Sequence, residues 1–245
     1  MIGPLLSTEA WSDARPAFDA VLFDLDGTLV DSRSGIEASC MAAMAEVAPG
    51  ADLPALGDML GKPLGGLMDA LGAALSAERI VALRAAFARH YDVNGWRASE
   101  PYPDVVETLQ AVIEAGARCF VVTNKRSVPT HAILRAFGLA PHLSGVVTPD
   151  STAPPFTDKS AMALACCRQF GIDGAAAIVV GDSVEDRQAA TACGAQFAAA
   201  AYGYGDVVNG DRSNGIVARP IFVVLKSIGD LKALFTPRGA AGRSA

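Results

Sequence analysis

Residues 20–30 read Ala-Val-Leu-Phe-Asp-Leu-Asp-Gly-Thr-Leu-Val, an apolar run that stops at two aspartates spaced two apart. Four consecutive apolar residues between Asp19 and Asp24 predict a short buried strand over 20–23. Open α/β sheets bind ligands outside the carboxyl ends of their strands, which is where Asp24 and Asp26 fall. Two carboxylates so placed repel each other unless a cation or a shared proton compensates. A hard divalent ion such as Mg2+, which prefers oxygen ligands, meets that need.

Three later segments also put polar groups where an apolar run ends or a helical pattern begins. Residues 118–122, Arg-Cys-Phe-Val-Val, close in Thr123-Asn124-Lys125. Lys159 follows the loop Pro154-Pro155-Phe156-Thr157-Asp158 and opens a helical pattern. Residues 177–180, Ala-Ile-Val-Val, close in Gly181-Asp182-Ser183, and Asp186 stands four residues past Asp182, one helical turn on.

The strand-to-helix rhythm is interrupted once, between Ser32 and about residue 118. The interruption is rich in Ala, Leu and Met at helical spacing. Ile36, Cys40, Met41, Met44 and Val47 share one face of a first helix, with Ser34 as a candidate cap and Pro49-Gly50 at its end. Pro54 starts a short second helix up to Leu60, and Leu64, Leu67, Met68 and Leu71 form a third stripe. Ile80, Leu83, Arg84, Phe87 and Tyr91 mark a longer fourth helix. After Pro101 the alternation resumes: helices are expected at 104–116, 128–138, 159–171, 184–193 and 228–235. Strands are expected at 118–123, 145–148, 176–181 and 196–201, with 221–224 as an extension of the sheet. Alternating strands and helices predict a doubly wound parallel sheet. The expected organisation is an α/β core of residues 18–32 and 99–236, an inserted all-helical unit at 33–98, and extensions at 1–17 and 237–245.

The chain has 245 residues, 51% of them hydrophobic, enough for a sizeable core in one large domain or two modest ones. Its net charge is −6, and no basic run alternates with aromatics, which argues against a nucleic-acid partner. No apolar stretch approaches the ~18 residues of a membrane span. The first seventeen residues hold Glu9 and Asp13 and lack the basic-then-apolar order of a signal peptide. The five cysteines are odd in number and match no zinc spacing, so they read as buried thiols in a reducing cytoplasm. There is no Gly-x-Ser-x-Gly elbow, so His131 and His142 have no triad context, and no P-loop.

In their order, the four polar signals resemble the haloacid dehalogenase superfamily of phosphohydrolases. Asp24-x-Asp26-Gly-Thr matches the first motif, Thr123 the second, Lys159 the third, and Gly181-Asp182-x-x-x-Asp186 the fourth. The resemblance spans residues 18–236. It leans towards the phosphoglycolate phosphatase-like branch through Asp31-Ser32, Pro101-Tyr102-Pro103-Asp104-Val105, Thr123-Asn124-Lys125, Gly181-Asp182-Ser183 and Tyr202-Gly203-Tyr204-Gly205. Ser160 follows Lys159 where the family often has Pro, and Cys193-Gly194 stands where it usually has Ala-Gly. Neither departure alters a group that does chemistry.

The resemblance implies a Rossmann-like core with a helical cap at 33–98, and a Mg2+-dependent phosphatase working through an aspartyl-phosphate. Asp24 would be the nucleophile and a metal ligand. Asp26 would act as general acid and then base, touching the metal through its backbone carbonyl. Thr123 and the Asn124 N–H would bind the transferring phosphoryl group, and Lys159 would bridge phosphate and Asp24. A cation in the first turn of a helix opposes the helix dipole, which itself argues for a functional Lys159. Asp182 would be a direct metal ligand, and Asp186 would orient a metal-bound water or Lys159. Asn124 and Lys125 would contact substrate. Lys62, in Gly61-Lys62-Pro63-Leu64 at the position of a cap specificity loop, would read a substrate carboxylate, with a plain exposed lysine as the alternative. Asp31 reads as a turn or cap residue, residues 202–205 as structural, and His90, Tyr91 and Arg97 as packing or surface groups. The expected partner is a small phosphorylated metabolite, 2-phosphoglycolate first, taken by a cytoplasmic monomer or homodimer. The rivals are a sugar phosphomutase, a nucleotide or pyrophosphate hydrolase, and a catalytically silent binding module.

Overall fold

The structure is a computed structural model and describes residues 18–49, 75–205, 207 and 220–235. In chain order its elements are β1 (Ala20–Phe23), β2 (Val30–Asp31), α1 (Arg33–Val47), α2 (Ala77–Val93), β3 (Glu100–Pro101), α3 (Val105–Glu114), β4 (Arg118–Val122), α4 (Ser127–Ala136), β5 (Gly145–Val147), α5 (Lys159–Phe170), β6 (Ala177–Gly181), α6 (Val184–Cys193), β7 (Gln196–Ala200) and β8 (Val223–Leu225). Short 3-10 turns lie at Gly95–Ala98, Ala140–His142, Gly174–Ala176 and Ile228–Leu234.

Six strands form one sheet in the order β5-β4-β1-β6-β7-β8, with every neighbouring pair parallel. The chain winds outward from β1 through β4 to β5, then returns past β1 to β6 and runs out to β8. This is the doubly wound order, and its reversal opens a crevice at the carboxyl ends of β1, β4 and β6. Register then brings the sequence signals together. Phe23 pairs with Val121 and with Val180, so Asp24, Thr123 and Asp182 leave their strands within a residue of one level.

The period of two along each strand sorts apolar side chains onto two cores. Val21, Phe23, Cys119, Val121, Ile178 and Val180 face Leu109 and Val112 of α3, Ile133 and Leu134 of α4, and Ile228 and Leu231. Ala20, Leu22, Phe120, Val122 and Val179 face Met162, Ala163 and Cys166 of α5 and Ala189 and Ala190 of α6. The result is a three-layer arrangement in which side chains such as Leu22 and Phe23 are fully buried. Each such burial stabilises the fold by about 1.5–3 kcal/mol.

Helices α1 and α2 belong to the inserted helical unit, with their own small core of Cys40, Ala43, Met44, Leu83, Ala86, Phe87 and Tyr91. The chain enters and leaves this unit through β2 and β3, which pair antiparallel with Val30 opposite Pro101 and Asp31 opposite Glu100. This ribbon was not expected from the sequence, because two residues per strand show no periodicity. Other expectations are corrected in detail. Helix α1 starts after Ser32, and Ser34 lies inside it, donating its hydroxyl to the Ala98 carbonyl at 2.9 Å. Met41 is 47% exposed, and Ala43 takes its place in the stripe. The last helix is a 3-10 turn, and β8 covers 223–225. The helices expected at 54–60 and 64–71 lie outside the described residues, as does Lys62.

Candidate active site

Asp24 ends β1, and its N–H still donates to the Val180 carbonyl at 2.9 Å, so the backbone carrying it is fixed by the sheet. The residue is 8% exposed. Lys159 comes to it from the first turn of α5. That helix starts there because Asp158 caps it, accepting from the Ala161 N–H at 2.9 Å. Lys159 Nζ lies 2.7 Å from Asp24 Oδ1 and 2.6 Å from Asp186 Oδ1, with the lysine 4% exposed. Desolvation works to lower the Lys159 ammonium, but Asp186 and Asp24 more than offset it and hold the group above its ordinary value.

Asp186 sits where a local rule puts it. Ser183 and Asp186 form a capping box at the start of α6, with Asp186 Oδ2 accepting from the Ser183 N–H at 3.0 Å and from its hydroxyl at 2.6 Å. One oxygen of Asp186 thus caps the helix while the other holds Lys159.

Asp182 Oδ2 accepts two backbone N–H bonds, from Tyr204 at 3.0 Å and Gly205 at 2.8 Å. The loop approaches so closely that a Cβ at Gly205 would lie 2.2 Å from the Asp182 carbonyl oxygen, and one at Gly203 2.3 Å from that of Gly27. Gly27 itself has φ +76° and would place a Cβ 2.1 Å from Asp182 Oδ2. The alternating glycines of residues 202–205 are therefore a clamp on Asp182. The sequence signal for it was the glycine spacing, which permits two successive N–H groups to reach one carboxylate.

Asp24, Asp182 and Asp186 each bring one carboxylate oxygen within 4.8 Å of the others, all three buried. Burial, opposed by Lys159 and reinforced by Asp186, Asp182 and Asp26, pushes the Asp24 carboxyl up to about 8. Burial and Asp186 push Asp182 up to about 6 against its two N–H bonds and Lys159. Negative charge here exceeds what Lys159 neutralises. Oxygen donors with surplus charge fit a hard divalent cation, so these residues could hold one.

Asp26 stands two residues on, and its side chain turns away from this trio. Oδ1 accepts from the Ser32 hydroxyl at 2.5 Å and Oδ2 lies 3.0 Å from Lys125 Nζ. Ser32 has one proton and gives it to Asp26, so Tyr204, whose hydroxyl is 3.0 Å from Ser32 Oγ, is the donor of that second bond. Lys125 Nζ also donates to the Tyr91 hydroxyl at 2.8 Å. Thr123 is 1% exposed, and its hydroxyl oxygen accepts from the Lys125 N–H at 3.2 Å, which leaves its proton available. The Asn124 amide donates to Glu185 at 2.5 Å.

The structure thus gathers Asp24, Asp26, Thr123, Lys125, Lys159, Asp182 and Asp186 at one crevice. Sequence reasoning missed Ser32, Tyr91, Tyr204, Gly205 and Glu185 as members of it. Asp31 behaves as read, its Oδ1 accepting from the Arg33 N–H at 3.0 Å. Asp186 pairs with Lys159.

A doubly wound sheet with acidic groups and a lysine at its carboxyl edge, under a helical insertion, defines a class, and comparison with known proteins gives it a family. Residues 18–194 match the haloacid dehalogenase-like hydrolases. A phosphoglycolate phosphatase from Mannheimia succiniciproducens is 30% identical over 76% of this chain and 87% of its own. An N-acetylmuramic acid 6-phosphate phosphatase from Pseudomonas aeruginosa is 32% identical over 78% of this chain and 84% of its own. A haloacid dehalogenase-like hydrolase structure from Streptococcus pneumoniae superposes with a TM-score of 0.75 at 21% identity, covering 90% of this chain and 99% of that one. The chain belongs to the haloacid dehalogenase-like hydrolases and, with these relatives, to their phosphatases. Among the described residues no helix is long and apolar enough to cross a membrane.

Proposed function

We propose that the chain hydrolyses a small phosphomonoester through an aspartyl-phosphate on Asp24, with Mg2+ as its metal and 2-phosphoglycolate as its leading substrate. The observation that carries this reading is the pairing of buried Asp24 with Lys159 at 2.7 Å, beside two further carboxylates and two residues from Asp26.

Asp24 and Asp182 would hold the ion through carboxylate oxygens and Asp26 through its backbone carbonyl, with Asp186 beside them. When bound, the ion offsets the repulsion between an anionic phosphate and a carboxylate nucleophile. Asp24 then forms a bond to phosphorus as the ester oxygen departs, taking a proton from Asp26. In the second half, Asp26 removes a proton from the water that attacks the aspartyl-phosphate, releasing orthophosphate and restoring Asp24. Thr123 donates its free hydroxyl proton to a phosphoryl oxygen. Lys159 holds Asp24 in place and stabilises the charge that builds up on the transferring group. Residues 33–98 act as a cap over a core of 18–32 and 99–236, excluding bulk water during transfer.

The test is phosphate release with Mg2+ across a panel of small esters that includes 2-phosphoglycolate and N-acetylmuramic acid 6-phosphate, with Asp24→Asn run in parallel. Release that disappears with chelator and with Asp24→Asn supports the reading, and the preferred ester names the substrate. No release from any ester by folded protein refutes it.

A further inference from the structure

Lys125 is buried, with its side chain 7% exposed, and its ammonium has two partners that come from different parts of the molecule. One is Asp26 Oδ2 at 3.0 Å in the core. The other is the Tyr91 hydroxyl at 2.8 Å, on helix α2 of the insertion. The ammonium also lies 4.2 Å from the centroid of the Tyr91 ring, so the same side chain supplies an acceptor and a π face. Tyr91 is itself 2% exposed and stacked on Phe87 at 5.5 Å with rings 16° apart. It is a stiff element with little freedom to follow Lys125. Lysine has three donors on a flexible stem and takes its direction from its acceptors. Tyr91 therefore fixes where Lys125 points, and Lys125 with Ser32 fixes both oxygens of Asp26.

We propose that Tyr91 is a positioning residue for Asp26, acting through Lys125. This inference rests on the phosphatase reading above and assigns to the cap helix a part in aiming the group that protonates the departing oxygen. A rival explanation is that Tyr91 merely fastens the helix. The adjacent pair serves as a control for that: Arg126 makes a bidentate ion pair with Asp92, at 2.9 and 2.6 Å, between the same helix and the same loop, without touching Asp26.

The two explanations part on the leaving group. An alkyl ester needs its oxygen protonated as it departs, whereas p-nitrophenolate leaves without help. The parameter kcat/KM covers only the steps up to that departure, so the later hydrolysis of the phospho-enzyme does not enter. Tyr91→Phe removes the acceptor and keeps the ring, its stacking and its volume. Wild type, Tyr91→Phe, Lys125→Met and Asp92→Asn are compared on glycerol 3-phosphate, or the best alkyl ester of the panel, and on p-nitrophenyl phosphate, with circular dichroism confirming the fold.

Tyr91→Phe is expected to lose about tenfold in kcat/KM on the alkyl ester, and less than about twofold on p-nitrophenyl phosphate. Lys125→Met is expected to lose more on the alkyl ester than on p-nitrophenyl phosphate, and Asp92→Asn to show no such split. Equal losses on both esters, or no loss on either, overturn the proposal while the phosphatase reading stands. Wild-type protein that turns over neither ester removes the reading, and the proposal with it.

Discussion

Lys159 and Asp24 meet at 2.7 Å although 135 residues of chain separate them, and both are buried. The lysine belongs to α5, which follows the edge strand β5 after a loop over 148–158, and the aspartate to the end of β1, nearer the middle of the sheet. Charge at this point is unbalanced, since Asp24, Asp182 and Asp186 share that one ammonium.

Asp24→Asn should abolish turnover, with kcat down by about a thousandfold or more, because an amide cannot form the acyl phosphate. It should also change how stability follows pH in chelator. A carboxyl raised in the folded state favours the fold below its ordinary pKa of 3.8, and that contribution is lost as pH rises towards the folded value, about 8 for Asp24. The variant lacks that loss. Its Tm should therefore exceed the wild-type Tm by a margin that grows from pH 5 to pH 8, as read by thermal melts in chelator. A constant margin would contradict the assignment of Asp24 as the strained carboxyl.

Lys159→Met removes the ammonium that offsets Asp24 and Asp186. Steady-state kinetics should show kcat lower by on the order of 100-fold, the cost typical of losing one preorganised donor to a transition state. The chelated variant should also melt below wild type, since breaking a buried pair leaves its carboxylates uncompensated. Added Mg2+ should recover much of the melting temperature and little of the rate.

Gly205→Ala forces the 202–205 loop off Asp182, because the new Cβ would fall 2.2 Å from the Asp182 carbonyl oxygen. Two N–H donors then no longer orient the carboxylate. The Mg2+ concentration for half-maximal activity should rise about tenfold or more, with a smaller change in kcat at saturating metal. An unchanged metal requirement would separate this loop from the metal site.

The thiols should be inert in the native protein. Burial pushes Cys40, Cys119 and Cys166 up to about 12, and Cys167 is raised further, chiefly through its hydrogen bond with Cys193 and then by burial. A chromogenic disulfide reagent should label no thiol but the partly exposed Cys193 within minutes, and all five cysteines in denaturant. Rapid labelling of several thiols in native protein would contradict the burial described for α1, β4 and α5.

The sequence by itself determined the six strands of the main sheet and most helix limits of the core, within a residue or two. It also picked out Asp24, Asp26, Thr123, Lys159, Asp182 and Asp186. Those signals are local: an apolar run, the polar residue that ends it, and a cap at the next helix. Tertiary structure decided what those residues touch. Asn124 turns to Glu185, 61 residues on, and the Tyr-Gly-Tyr-Gly loop wraps Asp182. Lys125 lies between Asp26 and a tyrosine that its helical stripe marked only as packing. The two-residue ribbon of β2 and β3 exists because its strands find each other across the insertion. Apart from the glycine spacing of that loop, none of these contacts has a spacing in the chain that would announce it. Each depends on sheet order and strand register, which bring segments dozens of residues apart to one edge. Burial there then favours a partner for each polar group.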